Sequence, residues 1–466
     1  MRRLIICVVV LAGAVSAAGG AVPGAGAQTA TESISAEDQE LYRLERVTSP
    51  VPTDRNTVPH AQGVRRVWGV STEPAFIENL YANPAAADAW RSTSGLFGGL
   101  IFASNEIDAL KVHAEVEQDA LPADTWAQAY FGSNYAGGYL LGPELHLLCA
   151  CDVRGASDAL RADDSVKPYV IDHTVFEQVQ YSLADLSQLG QEIRRFLDES
   201  DLRSNGYGTT IEANVVELFV GPQSTAGLEQ EVANRFAGRP VRVTAQPEDV
   251  APTVSKTEPL IFNLVEGGQA MDNSSTGLPL DCTSGFAVQG GYGPFILSAG
   301  HCGYAGNSWY QGGSQVGVQT SRNFGGYFDG SLITTYGYRN NYGHFHWNAN
   351  YYGESISFVQ NSNNIVGQSI CQTGYKQTGL DGFNTTCGTT TQNNYTPPYG
   401  DTPFQPVMLL SNYGTIGGDS GAAVVWPTAL YGWGAVGVHS GGNSTVGVDS
   451  RLDYILWIWG IQLTPP

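Results

Sequence analysis

Gly417-Gly418-Asp419-Ser420-Gly421 decides how this sequence is read. A serine hydroxyl is a poor nucleophile at neutral pH. It needs an adjacent base, a carboxylate to orient that base, and donors for the oxyanion that forms. Glycines on both sides let backbone N–H groups approach a reacting carbonyl, which makes Ser420 a candidate nucleophile. Upstream, Ala299-Gly300-His301-Cys302-Gly303 offers His301 as the base. Between the two, Tyr327-Phe328-Asp329-Gly330-Ser331-Leu332-Ile333 offers Asp329 as the orienter, just ahead of a short apolar strand.

The chain order His–Asp–Ser is that of the chymotrypsin type and not of subtilisins or α/β-hydrolases. Ser298-Ala299-Gly300-His301-Cys302, the aspartate opening an apolar strand, the Gly-Asp-Ser-Gly run and Gly437-Val438-His439-Ser440-Gly441-Gly442 together resemble the secreted bacterial branch of chymotrypsin-like serine proteases. That branch includes the streptogrisins, α-lytic protease and the glutamyl endopeptidases. The motifs fall in family order within residues 256–466. The resemblance implies an all-β protease domain of two antiparallel Greek-key β-barrels with the site in the crevice between them. His301 and Asp329 would come from the first barrel and Ser420 from the second. It further implies an oxyanion hole from the N–H groups of Gly418 and Ser420, and a Ser440 that supports both Asp329 and the bound substrate backbone. No cofactor or metal is implied.

The resemblance also bears on the residue preceding the cut bond, P1. No acidic residue stands at the pocket base: the position six before Ser420 is Gly414, which speaks against Lys or Arg at P1. His439 and Thr415 resemble the histidine and hydroxyl of glutamyl endopeptidases, and both can donate to a substrate carboxylate. A serine used by some relatives two residues beyond Ser440 is Gly442 here. Acidic and apolar P1 preferences both stay open. Asp419 needs a buried partner. Relatives often place a cation after the cysteine at the position of Cys371; this chain has Gln372, with Lys376 nearby.

Composition sets the outer bounds. The chain has 466 residues, more than one compact domain holds. It carries 44 acidic against 23 basic residues, a net charge of −21, which argues against nucleic acid or anionic membrane as a partner. Few charges, 57 glycines and many Tyr and Asn suit short strands joined by tight turns. A protein or peptide substrate and a monomeric state are expected. Residues 1–27 read as a secretory signal: Met-Arg-Arg, an apolar run containing Cys7, then an Ala-x-Ala-like site near Ala27. Export places the remaining six cysteines in an oxidising setting. Cys282, Cys302, Cys371 and Cys387 lie in the protease half, and four cysteines allow three pairings. The resemblance selects Cys282–Cys302 and Cys371–Cys387, each closing a loop worth about 3 kcal/mol. A third family bridge near the nucleophile is absent, because Leu409-Leu410-Ser411-Asn412 has no cysteine.

Residues 28–255 read as a propeptide. A polar leader runs to about residue 65, followed by helical patterns at 75–80 and 85–90. A strand–helix–strand pattern then appears twice: strands at 144–152 and 169–173, and again strands at 214–220 and 240–244 about a helix at 228–236. Between the copies Leu183, Leu186, Leu189, Ile193 and Phe196 mark one face of an amphipathic helix. Such a unit resembles the α-lytic-type propeptide, which implies a folding aid and inhibitor acting on its own protease. Cys149-x-Cys151 near His146 does not supply enough ligands for a closed metal site and reads as buried or unpaired thiols. Residues 245–259 read as a Pro-rich linker before the protease domain, 256–466. Within that domain short strands are expected at 285–288, 295–298, 315–319, 331–335, 355–360, 422–426 and 435–438. Residues 336–364, dense in Tyr, Asn and Trp, read as a polar inter-barrel connection in preference to an extended surface for polymeric substrate, with His344-x-His346 a strand pair and not a metal site.

Two readings from other classes compete. A protease-like adhesion module needs no complete His301, Asp329 and Ser420 set. An esterase would need a nucleophile elbow, and Gly-Asp-Ser-Gly-Ala lacks its second glycine.

Overall fold

The fold was obtained as a computed structural model, which describes residues 62, 65–66, 68–82, 89–91, 101–252, 267–273, 281–291, 293–311, 314–335, 344–345, 354–359, 365–374, 384–415, 417–428 and 432–464. Residues 1–61, where the signal and most of the polar leader are expected, and the residues between 252 and 267 lie outside this set.

The alternating, glycine-punctuated sequence after residue 266 folds into two sheets. The first runs, in spatial order, Asp281–Thr283, Ala270–Asp272, Ser308–Gln311, Ser314–Gly325, Phe328–Thr335, Gly293–Ser298, Ala287–Gly290 and Gln462–Leu463. It does not close among the described residues. In the second, Gly432–Gly442, Ala423–Thr428, Ser369–Gly374, Asn384–Tyr395, Met408–Ser411 and Gly447–Arg451 pair in sequence, and the last pairs back onto the first. That ring is a closed six-stranded barrel. The seven expected strands are all present, two of them much longer than the sequence pattern indicated: residues 314–325 extend one and Gly432–Gly442 lengthens the other. Of residues 336–364, only 344–345 and 354–359 are described; His344–Phe345 pairs with Glu354 and Ser355, and His346 lies outside.

Each sheet has an apolar interior. Met271, Ile296, Trp309, Val316 and Ile333 fill the first; Ile370, Leu409, Tyr413, Val424, Trp426 and Val436 fill the barrel. A third cluster joins them, with Phe286, Leu297 and Phe328 from the first sheet against Val425, Ala435 and Val438 from the barrel. Leu452 and Ile455, on the helix Leu452–Trp459, close it. Burial of large apolar side chains, at roughly 25 cal/mol per Å², therefore fixes the two sheets against each other. The expected bridges Cys282–Cys302 and Cys371–Cys387 form.

The region before the two sheets is a duplicated unit. Helix Ile107–Phe131 precedes an antiparallel pair, Tyr135–Leu141 with Glu144–Cys149, and a parallel strand, Thr174–Gln178. Helix Leu183–Glu199 precedes the same arrangement: Tyr207–Thr210, Val215–Val220 and Val241–Ala245. The second helix begins at a capping box, in which Ser182 accepts from the Asp185 N–H and Asp185 accepts from the Ser182 N–H. Leu186, Leu189 and Ile193 are buried on the face expected for them.

Several expectations fail here. Residues 169–173 are not a strand: Pro168–Asp172 is a helix, because proline at the first turn presets φ and needs no N–H partner. The strand follows at Thr174–Gln178. Ala89 and Trp90, expected within a helix over 85–90, instead belong to the strand Ala89–Arg91, which pairs antiparallel with Ile101–Ala103. Cys149 and Cys151 are not unpaired thiols but form a disulfide. The chain bends after Cys149, bringing their Cα atoms to 5.1 Å, closer than the roughly 6.7 Å of a continuing strand. The stretch expected to be a linker is in part a strand: Ala251–Pro252 pairs antiparallel with Gly441 and Gly442 of the barrel.

The duplicated unit docks on the barrel. Tyr207 and Thr396 exchange backbone hydrogen bonds at 3.2 and 2.8 Å. Tyr395 donates to the Asn205 carbonyl, and Arg194 to the Phe404 carbonyl. Glu117, on the first long helix, accepts from the Ser369 backbone N–H at 2.5 Å.

Candidate active site

His301 sits in the one-turn 3₁₀ helix Gly300–Cys302, directly after the strand Gly293–Ser298. Two neighbours hold that turn. The Cys282–Cys302 bridge fixes the residue after His301. Arg322 donates to the Gly300 carbonyl at 2.8 Å while pairing with Asp401. Asp329 lies inside the strand Phe328–Thr335, one residue from its start and fully buried. Ser420 comes from the other sheet, in the turn before Ala423–Thr428. Gly418 there has φ +102°, a conformation that strains any residue with a Cβ.

These three side chains, far apart in sequence, meet. His301 Nδ1 lies 2.5 Å from Asp329 Oδ2, and His301 Nε2 lies 2.8 Å from Ser420 Oγ. An ionised carboxylate only accepts, so Nδ1 carries the proton and Nε2 is left to accept from the serine hydroxyl. Asp329 is held from every side: Oδ1 accepts from the His301 backbone N–H at 3.0 Å, Oδ2 accepts from Ser440 Oγ at 2.7 Å, and its own N–H donates to Ser450 Oγ. Tyr399 donates to Ser440 Oγ at 3.1 Å. Burial first, and the nearby Asp329 charge in the same sense, push the Tyr399 phenol well above its ordinary range, so it remains a donor. Phe324 covers the imidazole, its ring 5.4 Å from that of His301 and stacked on Tyr399.

Around the serine, Thr283 donates its N–H to the Ser420 carbonyl and its hydroxyl to the Gly418 carbonyl, both at 2.7 Å. Those carbonyls are thereby turned toward Thr283. Ser420 Oγ also lies 3.5 Å from the Ser440 carbonyl. Asp419 is buried beside Gly374 and Gln372: a Cβ built on Gly374 would lie 2.2 Å from Asp419 Oδ1 and 2.7 Å from Gln372 Nε2. Lys376 lies outside the described residues. His439, Ser440 and Gly442 all belong to Gly432–Gly442. Thr415 faces that strand, its N–H donating to the Asn443 carbonyl at 2.8 Å. The sulfurs of Cys282 and Cys302 lie close to the His301 nitrogen. They are joined to each other, so neither offers the thiolate that metal binding needs.

Sequence reasoning missed Tyr399, Phe324, Arg322, Thr283 and Ser450. None stands in a motif, and each acts through a contact between segments apart in sequence. It also missed Asp449, for which a signal existed: a lone aspartate in the apolar run Gly447-Val448-Asp449, one hairpin away from His439.

No protein-family model matches the chain, and no curated protein matches it. Among solved structures it is similar to a glutamic acid-specific serine protease that uses a histidine triad in substrate binding. Identity is 27%, over 43% of this chain and 100% of that one, with a TM-score of 0.36. Nocardiopsis protease is 22% identical over 43% of this chain and 98% of its own, with a TM-score of 0.35. Cellulomonas bogoriensis chymotrypsin is 24% identical over 43% and 99%, also at 0.35.

Proposed function

We propose that the chain is a secreted serine endopeptidase made with an inhibitory propeptide, and that it prefers an acidic residue at P1. One observation carries the protease reading: the continuous Asp329–His301–Ser420 hydrogen-bond chain, assembled from two sheets. In this mechanism Ser420 Oγ attacks a peptide carbonyl while its proton passes to His301 Nε2. Asp329 keeps Nδ1–H in place and stabilises the imidazolium that forms. The N–H groups of Gly418 and Ser420 stabilise the oxyanion. His301 then protonates the leaving amine, giving an acyl-enzyme. A water, deprotonated in turn by His301, releases the acid and restores the serine.

The acidic preference is supported by two buried polar atoms with no partner among the described residues, His439 Nε2 and Thr415 Oγ1. Unsatisfied buried donors are costly unless a ligand completes them. The test is cleavage-site profiling, with kcat/KM for peptides bearing Glu, Leu, Phe or Lys at P1. Glu is expected to lead, and His439→Ala to lower its value at least about tenfold, or about 1.4 kcal/mol. If Leu or Phe exceeds Glu in the wild type, the pocket is apolar. Absence of labelling by a serine-directed fluorophosphonate would instead favour a binding module.

Inhibition by residues 28–255 is supported by Ala251–Pro252. An extended substrate adds as an antiparallel strand to an exposed edge, and this segment already pairs with Gly441 and Gly442, beside Ser440. Glu248 extends the contact, accepting from the Ser444 N–H at 2.9 Å. Ser420 is fully buried in this state. Occupancy of the cleft lowers the competent fraction and so the apparent rate. The intact chain should react with a fluorophosphonate at least about tenfold more slowly than the same chain cleaved between residues 252 and 267 and freed of the upstream fragment. Equal rates would remove the inhibitory role.

A further inference from the structure

We propose that Asp449 is a specificity-determining positioning residue: it holds the Nδ1–H of His439 and so sets Nε2 to bind the side-chain carboxylate of an acidic P1 residue. This rests on the acidic-pocket reading above and assigns the group that makes such a pocket work.

His439 and Asp449 stand directly opposite each other on adjacent antiparallel strands, so their side chains share a face. Both are fully buried, and His439 Nδ1 lies 2.8 Å from Asp449 Oδ1. The second carboxylate oxygen, Oδ2, accepts from the Tyr413 hydroxyl at 2.6 Å and from Ser411 Oγ at 3.4 Å. Tyr413 belongs to the barrel interior, its ring 6.2 Å from that of His439. Burial, and next the Asp449 charge, hold the Tyr413 phenol well above its ordinary range, so it donates. Asp449 is thus tied at both oxygens and points one of them at His439.

The charge balance gives the inference its content. Among the described residues, Asp449, Tyr413, through Tyr413 Asp419, and from the Ser440 side Tyr399 are the titratable groups around this ring; His301 and Asp329 lie beyond Ser440. Among the described residues the sole cation-forming group in contact with Asp449 is His439. To bind a carboxylate while paired with Asp449, the imidazole must donate from both nitrogens. One proton is committed to Asp449, and the other has no partner. A substrate carboxylate would complete it, with Thr415 Oγ1 as a second donor. Gly442 keeps that approach open: a Cβ there would lie 2.7 Å from Thr415 Oγ1 and would cover it.

The experiment is the ratio of kcat/KM for a Glu peptide to that for a Leu peptide at pH 7.5, with kcat and KM resolved for each. The wild-type ratio should be high. Asp449→Asn should lower it tenfold or more, with the loss in KM for the Glu peptide and not in its kcat. Tyr413→Phe, which leaves the carboxylate but removes one of its donors, should lower the ratio in the same way by a smaller factor. It serves as the test should Asp449→Asn fail to fold. If wild type prefers Glu yet neither variant lowers the ratio, the role of Asp449 is wrong while the acidic pocket stands. If wild type prefers Leu, both are wrong.

Discussion

Ser420→Ala is expected to lower kcat by a factor of about 10⁵–10⁶ and to leave KM close to the wild-type value. The substitution removes one buried oxygen. Its partners include His301 Nε2 and, more distantly, the Ser440 carbonyl, which stays in place as part of a strand. Neither is left as a buried unpaired charge, so stability should change by no more than about 1 kcal/mol. Residual turnover of about 10³–10⁴ over the uncatalysed rate would come from the oxyanion donors and from substrate positioning. The measurement is steady-state turnover of a peptide ester alongside thermal melting. Activity above a percent of wild type, with an unchanged melting temperature, would mean that another nucleophile acts and that the hydrogen bond at His301 Nε2 is incidental.

Much of this site is legible in the sequence because chemistry forces residue types into short motifs. A turn with a positive-φ glycine before a nucleophile, a histidine held by a following cysteine, and an aspartate opening an apolar strand each leave a local trace. The strands were legible for the same reason, since two-residue alternation between glycine-rich turns has few other solutions. What stayed hidden depends on contacts across the fold. Asp449 matters because hairpin register sets it opposite His439, and Tyr399 because it reaches Ser440 from a loop forty-one positions away. The Pro-rich segment before residue 253 reads as a spacer by composition, yet Ala251–Pro252 finds a strand edge to pair with. Proline is tolerated there because an edge strand needs donors on one side only. Residues 169–173 misled because an apolar five-residue run fits either a buried strand or a short helix. Pro168, at the first turn of Pro168–Asp172, decides for the helix.

Asp329→Asn carries the second largest expected effect, a loss of about 10⁴ in kcat. The reasoning is a matter of proton inventory. Asp329 Oδ2 accepts from His301 Nδ1 and from Ser440 Oγ, and Oδ1 accepts from the His301 backbone N–H. An amide offers one oxygen and one NH₂ where the carboxylate offers two acceptors. If the amide oxygen faces the His301 backbone, the NH₂ faces Nδ1, and the imidazole must carry its proton on Nε2. It can then no longer accept from Ser420. The geometry should survive, since the volumes match and Ser450 still receives the backbone N–H of residue 329. Asp401→Asn is the control for a merely electrostatic role: that carboxylate pairs with Arg322, which braces the His301 turn, but it does not touch the imidazole. Its loss should cost no more than about tenfold, because a half-exposed ion pair is worth at most about 1 kcal/mol. Fluorophosphonate labelling should follow the same order, since it too needs His301 to take the serine proton. Comparable losses in the two variants would mean that negative charge near His301, and not the hydrogen bond to Nδ1, is what Asp329 supplies.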